Sequence, residues 1–126
     1  MISGTGSGCG KTTVTLAVLR AMQRRNIPLA AFKCGPDYID PMFHKAVLGI
    51  PSRNLDLFFI SEREVRGQIV RSIPQNGIGV IEGVMGFYDG VSGTTDTASA
   101  AHLARETGTP AILVVRPKGQ SLSLAA

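Results

Sequence analysis

Residues 4–13 have the sequence Gly4-Thr5-Gly6-Ser7-Gly8-Cys9-Gly10-Lys11-Thr12-Thr13 and lead directly into an apolar helical pattern. Glycines let backbone N–H groups wrap around an anion, and the N-terminus of a following helix adds a partial positive charge. These ten residues are therefore predicted to bind the phosphates of a nucleotide. In such a loop Lys11 reaches the β- and γ-phosphates, and the Thr12 hydroxyl binds Mg²⁺.

The loop departs by one position from the strict phosphate-loop pattern G-x-x-x-x-G-K-[ST]. Thr5 occupies the first position of that pattern, and the nearest glycine is Gly4. The dinucleotide pattern G-x-G-x-x-G fails as well, because Cys9 or Lys11 stands where its third glycine is required. A helix that opens with Gly10-Lys11-Thr12-Thr13 still favours phosphate binding over a merely flexible loop.

Short apolar runs alternate with amphipathic helices along the rest of the chain. A strand is predicted just before Gly4, and further strands over 29–33, 78–82 and 111–115. Predicted helices cover about 10–25, a short piece near 43–48, a segment capped by Ser61 and a segment capped by Thr95. Residues 34–60 are otherwise predicted to be irregular, and Ala126 is expected to lie in the first turn of another helix.

This alternation predicts an α/β fold, with a P-loop NTPase-type parallel sheet flanked by helices. Ligands of such sheets bind at the carboxyl ends of the strands. Glu82 ends one strand, where it can act as a metal ligand. Lys33 ends another and is followed by Asp37 and Asp40, which can hold Mg²⁺ while the lysine neutralises a phosphoryl group. The alternative is that both aspartates only form the turn.

Composition limits the classes of function. The 126 residues suit one domain, and the net charge of +4 comes from arginines spread over predicted helices, which argues against a nucleic-acid partner. No apolar run approaches the roughly 20 residues of a membrane span, and no secretory leader opens the chain, so a cytoplasmic protein without a membrane partner is expected. Two cysteines and two histidines show no metal-ligand spacing, and His44 and His102 are interpreted as structural.

Three later segments resemble the cobyrinic acid a,c-diamide synthase family: Lys33–Pro41, Pro51–Asp56 and Glu82–Gly90. The resemblance covers essentially the whole chain in the same order, whereas the phosphate loop alone resembles the wider dethiobiotin-synthetase-like group. The final strand departs from the family pattern, because it ends Val115-Arg116-Pro117-Lys118 where many relatives have a small or acidic residue.

The resemblance implies a glutamine amidotransferase of corrinoid biosynthesis that uses ATP and Mg²⁺. Residues 1–126 are expected to form its ATP-binding synthetase domain, as a fragment of a longer protein. The remainder of the synthetase and a C-terminal glutaminase domain that supplies ammonia are expected downstream. The substrate would be a tetrapyrrole polycarboxylate activated as an acyl phosphate, and a homodimer is one expected assembly.

The resemblance also assigns roles to individual residues. Lys11 and Thr12 are expected to bind the triphosphate and its metal. Asp37 and Glu82 are expected to bind Mg²⁺, with Lys33 stabilising the γ-phosphoryl group. Asp40 and Asp89 are expected to orient the substrate or the acyl phosphate. Arg53 and Asn54 are expected to contact substrate carboxylates, although Arg53 could equally hold its loop in place.

Other functions are compatible with the same loop. Hydrogenobyrinic acid or nickel-sirohydrochlorin could replace cobyrinic acid as the substrate. Dethiobiotin synthetase is disfavoured, because it does not need the Asp37–Asp40 and Glu82–Asp89 pairings in this form. A partition-type switch ATPase would carry an additional lysine early in the loop, where this chain has Gly6.

Overall fold

The protein is built around a five-stranded parallel sheet, which confirms the predicted fold class. The computed structural model describes residues 1–125. The strands are β1 (Ile2–Gly4), β2 (Leu29–Cys34), β3 (Ser52–Leu55), β4 (Ile78–Glu82) and β5 (Ile112–Val114). The helices are α1 (Lys11–Arg24), α2 (Ile39–Leu48), α3 (Glu62–Ser72) and α4 (Ala100–Thr107), followed by a short 3₁₀ helix over Leu122–Ala125. The strand order is β3-β2-β4-β1-β5.

The sheet is covered on both faces because alternate residues of its central strands point to opposite sides. On one face, Phe32 and Ile81 pack with Val65 of α3 and Leu103 of α4. On the other, Ala31 and Val80 pack with Leu19 of α1 and Leu48 of α2. No helix within residues 1–125 is long and apolar enough to cross a membrane.

The parallel register brings the carboxyl ends of the central strands together. Lys33 of β2 lies opposite Glu82 of β4 on one side and Asn54 of β3 on the other. Ile2 of β1 also lies opposite Glu82, so the phosphate loop leaves the sheet at the same edge. Residues that are 28 to 70 positions apart in sequence therefore converge at one end of the sheet.

The prediction of a largely irregular segment over residues 34–60 is wrong in two places. Helix α2 begins at Ile39, before Pro41, because proline is tolerated in the first turn of a helix, where its missing N–H is not needed. Strand β3 is only four residues long and lies at the edge of the sheet, paired with β2 alone. Such a short, half-exposed strand has too little apolar alternation to be predicted.

The predicted cap of α4 is also wrong. Ser99, not Thr95, accepts the hydrogen bond from the His102 backbone N–H at 3.1 Å. Thr95 Oγ1 instead accepts from the Thr97 N–H within the preceding loop. Ala98 has a left-handed φ of 59°, which interrupts any helix that would begin earlier. The C-terminal helix predicted around Ala126 lies partly outside the described residues.

The capping box of α3 is present as predicted, and it yields a stability test. Ser61 Oγ accepts from the Glu64 N–H, and Glu64 accepts from the Ser61 N–H at 2.9 Å. Ser61→Ala removes the cap and should lower the stability of α3 by about 1 kcal/mol, or about fivefold in hydrogen-exchange protection of its amides. Ser72→Ala, at the other end of α3, is the control. Unchanged protection in the Ser61 variant would contradict this account of the cap.

Candidate active site

The phosphate loop follows β1 and ends at the first residue of α1. Gly8 and Gly10 have φ values of 72° and 103°, a left-handed backbone that favours glycine. Gly10 immediately precedes α1, so the loop backbone continues directly into the N-terminus of that helix. This arrangement leaves helix N–H groups directed at the space above the loop, as an anion site requires.

Gly4 explains why the loop departs from the strict pattern. A Cβ atom at Gly4 would overlap Cys9 Sγ and would lie 2.9 Å from the carbonyl oxygen of Val114. Thr5 is exposed and meets no such restriction. The position that must be glycine is therefore residue 4, because the backbone passes closest to its neighbours there.

Lys11 folds back across the loop that contains it. Its Nζ donates to the carbonyl oxygens of Gly6 and Met85, both at 2.7 Å, and its side chain is largely buried. Met85 has a φ of 46°, unusual for a residue other than glycine, and its carbonyl lies in the segment after β4. The ammonium group is thus held above the loop by two neutral acceptors.

Lys33 is the centre of a buried charged cluster at the strand ends. Its side chain is 2% exposed, and its Nζ lies 2.5 Å from Asp40 Oδ2, 3.3 Å from Glu82 Oε1 and 3.7 Å from Asp37 Oδ2. It also donates to the carbonyl oxygen of Gly83 at 3.0 Å. Three carboxylates around one ammonium leave the cluster a formal charge of −2.

Thr12 connects this cluster to the phosphate loop. Its Oγ1 lies 2.7 Å from Glu82 Oε1 and 3.2 Å from Asp40 Oδ1. Three oxygen atoms from α1, α2 and β4 therefore meet at one point. Hydroxyl and carboxylate oxygens are the donors that Mg²⁺ prefers, and the excess negative charge suits a divalent cation. The residues present fit the metal that the sequence predicted here.

The surroundings shift the pKa values of two members of the cluster. Burial by itself raises the pKa of Glu82, but hydrogen bonds from His44 and Thr12 and the charge of Lys33 outweigh it and lower the pKa to about 2. Burial lowers the pKa of Lys33, yet the hydrogen bond to Asp40 and the three nearby carboxylates raise it above its ordinary value overall. Both groups are therefore charged at neutral pH.

An open cleft of about 500 Å³ lies between the phosphate loop and the charged cluster. Ser7, Gly8 and Thr13 line it on the loop side. Lys33 and Asp37 line it on the other. The cleft thus combines the backbone of the glycine-rich loop, two lysines and several hydroxyl and carboxylate oxygens in one space.

Comparison with known families agrees with this geometry. The family model described as "CobQ/CobB/MinD/ParA nucleotide binding domain" matches residues 1–102. The chain belongs to this family. Nucleotide binding is the property that the family description names, and residues 1–102 contain the whole phosphate loop together with Lys33, Asp37, Asp40 and Glu82.

Relatives of this nucleotide-binding domain confirm the resemblance found in the sequence. The chain is 47% identical over 126 residues to a cobyrinate a,c-diamide synthase of Salmonella typhimurium. It is 49% identical over 127 residues to the enzyme of that name from Clostridium acetobutylicum and 48% identical over 126 residues to that from Thermoplasma volcanium. Each alignment covers 100% of the chain but only 28% of the relative.

Two residues predicted to contact substrate have other surroundings in the domain. Asn54 donates from Nδ2 to the carbonyl oxygens of Gly35 and Asp37, both at 2.7 Å, and so holds the turn that carries Asp37. Arg53 is the residue before Asn54 in β3. Its side chain is exposed and lines a different cavity beside α3. The structure does not bring Arg53 into the cleft, and the substrate roles of both residues stay predictions.

Asp89 lies on the loop after β4, beside the cleft. Its Oδ2 accepts from the Gly86 N–H at 2.7 Å, which shapes the segment that presents the Met85 carbonyl to Lys11. Asp89 also lines an open cavity of about 440 Å³ with Tyr88 and Thr94. Asp89 is therefore linked to Lys11 through two hydrogen bonds, one to the Gly86 N–H and one between the adjacent Met85 carbonyl and Lys11. Its contact with substrate stays a prediction.

The contacts of His44 with the candidate site were not predicted from the sequence. The ring is buried, with Nε2 3.0 Å from Glu82 Oε2 and Nδ1 3.0 Å from Ser52 Oγ. The available signal was its spacing from Asp40, because residues four apart lie on the same face of a helix.

Cys34 is a buried thiol at the end of β2. Burial raises the pKa of this thiol to about 12, so it stays protonated and unreactive at neutral pH.

Another group of possible metal ligands lies between α3 and α4. Oxygen and nitrogen atoms of Glu62, His102 and Glu106 lie within 4.8 Å of one another. However, Arg66 Nη2 lies 2.6 Å from Glu106 Oε2 and 3.6 Å from Glu62 Oε2. The guanidinium pairs with both carboxylates and offsets one of their two negative charges, whereas the cluster around Lys33 keeps a formal charge of −2, so the Lys33 cluster is the stronger candidate for a cation site.

The lowered pKa of Glu82 predicts a pH-dependent contribution to stability. The ionised carboxylate stabilises the fold above its ordinary pKa of 4.5, and this stabilisation is lost as the pH falls toward about 2. Glu82→Gln should therefore reduce the free energy of unfolding near neutral pH. Its difference from the wild type should shrink progressively below about pH 4.5 in urea unfolding experiments. A difference that does not vary with pH would contradict the assignment.

Proposed function

We propose that this domain is the ATP-binding part of an enzyme that amidates the a- and c-carboxylates of cobyrinic acid, with Mg²⁺ as cofactor and glutamine as the ammonia source. The proposal extends the activity for which the relatives are named to this chain, which spans only 28% of their length. The observation that carries it is the meeting of the phosphate loop with the Lys33 cluster at one cleft.

The phosphate loop would bind the triphosphate of ATP in this cleft. The backbone N–H groups of residues 6–13 face the anion, and the Lys11 ammonium exchanges its two carbonyl acceptors for phosphate oxygens. Because those acceptors are neutral, a charged phosphate oxygen is the stronger partner. Lys11 then places a positive charge where the phosphoryl group is transferred.

The Lys33 cluster would hold the metal and limit the negative charge of the site. Thr12, Asp37 and Glu82 are the proposed Mg²⁺ ligands, and Asp40 lies close enough to contribute. When bound, Mg²⁺ offsets the negative charge of the phosphate oxygens. Lys33 keeps the carboxylates in place and neutralises part of their charge, so that a further anion, the substrate carboxylate, is tolerated nearby.

The proposed reaction has two steps, which are carried out once for the a-carboxylate and once for the c-carboxylate. A substrate carboxylate oxygen attacks the γ-phosphorus of ATP, the bond to the bridging oxygen breaks, and ADP leaves with that electron pair. Ammonia then attacks the carbonyl carbon of the acyl phosphate, and inorganic phosphate leaves as the amide forms and the nitrogen loses a proton. Positioning and charge neutralisation carry most of the catalysis, because both reactants of the first step are anions.

The resemblance assigns ammonia production to a C-terminal glutaminase domain, and we propose the same division of labour here. For Asp89 we propose the role that the resemblance implies, a contact with the substrate or with the acyl phosphate. Its loop adjoins both the Met85–Lys11 contact and the open cavity beyond it, so it would orient the substrate or the acyl phosphate.

The proposal is tested by incubating the full-length protein with ATP, Mg²⁺ and glutamine. Cobyrinic acid, hydrogenobyrinic acid and nickel-sirohydrochlorin are supplied separately, and the amides are counted by mass spectrometry. Two ATP-dependent amides on cobyrinic acid are expected. Two amides on another macrocycle instead would correct the substrate and keep the chemistry. ATP hydrolysis with no amide on any of the three, stimulated by DNA or a membrane, would favour a switch ATPase.

Lys11→Ala tests the role of the phosphate loop. Removing a preorganised cation from the transferring phosphoryl group should lower the rate of ATP-dependent amidation by roughly a hundredfold or more. Lys45→Ala is the matched control, because Lys45 is an exposed lysine on α2. The measurement is the initial rate at saturating ATP for each variant. A Lys11 variant as fast as the Lys45 variant would remove Lys11 from the catalytic site.

A further inference from the structure

The proposed reaction gives His44 no direct part, yet the residue is built into the site. Its side chain is completely buried (0% exposed) on α2, one helical turn after Asp40. Both ring nitrogens have a polar partner at 3.0 Å, Glu82 on one side and Ser52 on the other. Any buried histidine needs hydrogen-bond partners for its ring nitrogens. What sets His44 apart is that one of its partners is Glu82, a proposed metal ligand.

The two carboxylate oxygens of Glu82 have separate sets of contacts. Oε1 accepts from Thr12 at 2.7 Å and lies 3.3 Å from Lys33 Nζ, on the side of the proposed metal. Oε2 lies 3.0 Å from His44 Nε2, on the side of α2. The last torsion of a glutamate side chain has only a broad intrinsic preference, so hydrogen bonds determine which oxygen points where.

The donor and the acceptor can be assigned for each hydrogen bond in the series Ser52–His44–Glu82. An ionised carboxylate only accepts hydrogen bonds, so His44 Nε2 is the donor to Glu82. In the neutral ring Nδ1 is then an acceptor, and the Ser52 hydroxyl donates to it. Ser52 belongs to β3, the edge strand, and so a residue of the sheet holds the tautomer and the orientation of the ring.

We propose that His44 is a positioning residue that holds Glu82 Oε2, so that Oε1 is presented to Thr12 and to the divalent cation. Ser52 supports it by holding Nδ1. Substituting a hydrogen-bond partner behind a metal ligand typically lowers metal affinity by about ten- to a hundredfold. The inference rests on the part of the proposed function that places a divalent cation and a nucleotide in the cleft, and it is independent of the macrocycle.

Two amide substitutions separate positioning from packing. The terminal amide of His44→Gln can reach the position of Nε2 and still donate to Glu82. The shorter His44→Asn reaches only the position of Nδ1, toward Ser52. Ser52→Ala keeps the ring but removes its support. His102→Gln, at the other histidine, is the matched control, because His102 lies on α4 and bonds to the Ala98 N–H.

The measurement is the Mg²⁺ concentration that gives half-maximal binding of a fluorescent ATP analogue to the full-length protein, with circular dichroism to check folding. His44→Asn should raise that concentration roughly tenfold or more, within the range usual for lost partners behind a metal ligand. His44→Gln should stay within roughly threefold of the wild type, Ser52→Ala should fall between the two, and the control should not change.

Equal shifts in the Asn and Gln variants, or no shift in either, would overturn the positioning role. If the Asn variant does not fold, Ser52→Ala decides, and an unchanged Mg²⁺ requirement there would overturn the inference. A wild-type protein whose nucleotide binding does not depend on Mg²⁺ would instead refute the proposed cation site, and this inference with it. Failure of the positioning role of His44 and failure of the proposed cation site therefore give different results.

Discussion

The ion cluster around Lys33 is the constraint on which the rest of the site depends. A lysine side chain that is 2% exposed must be paired, because an isolated buried charge is strongly disfavoured. Its partners come from the turn after β2, from α2 and from the end of β4. Correct pairing therefore requires the central strands and α2 to be in their final places. The same pairing leaves an excess of negative charge beside the phosphate loop, where a divalent cation is useful.

The parallel sheet makes this cluster possible with few residues. Parallel strands end at a common edge, so single side chains at the ends of β2 and β4 become neighbours. The phosphate loop leaves β1 at the same edge, and Thr12 on the first turn of α1 completes the group of oxygens. In the proposed function, binding of the anion and of the cation would be coupled through one residue pair, Thr12 and Glu82. The loop can take this path because Gly4 has no side chain to clash with Cys9 and Val114, and because Gly10 adopts a left-handed backbone just before α1.

The sequence was sufficient to predict the fold class, the phosphate loop and the meeting of Lys33, Asp37, Asp40 and Glu82, because strand-end positions in a parallel sheet imply proximity. It was insufficient for β3, whose four residues pair with one neighbour only. Without β3, nothing indicated that Ser52 faces α2 or that Asn54 turns toward the backbone of residues 35–37. The hydrogen bond between the buried His44 ring and Glu82 depends on tertiary placement. The spacing of His44 from Asp40 indicates a shared helix face but does not identify Glu82 as the partner.

The most direct test of the account is to locate the cation itself. Crystals of the full-length protein with Mn²⁺, in place of Mg²⁺, and a non-hydrolysable ATP analogue would show the metal by anomalous scattering. The account predicts a cation about 2.0–2.2 Å from Thr12 Oγ1 and directly bound to, or one water away from, Glu82 Oε1. Lys11 should then contact phosphate oxygens and no longer the Met85 carbonyl. A metal bound away from Thr12 and the Lys33 cluster, with Lys11 still on Met85, would contradict it.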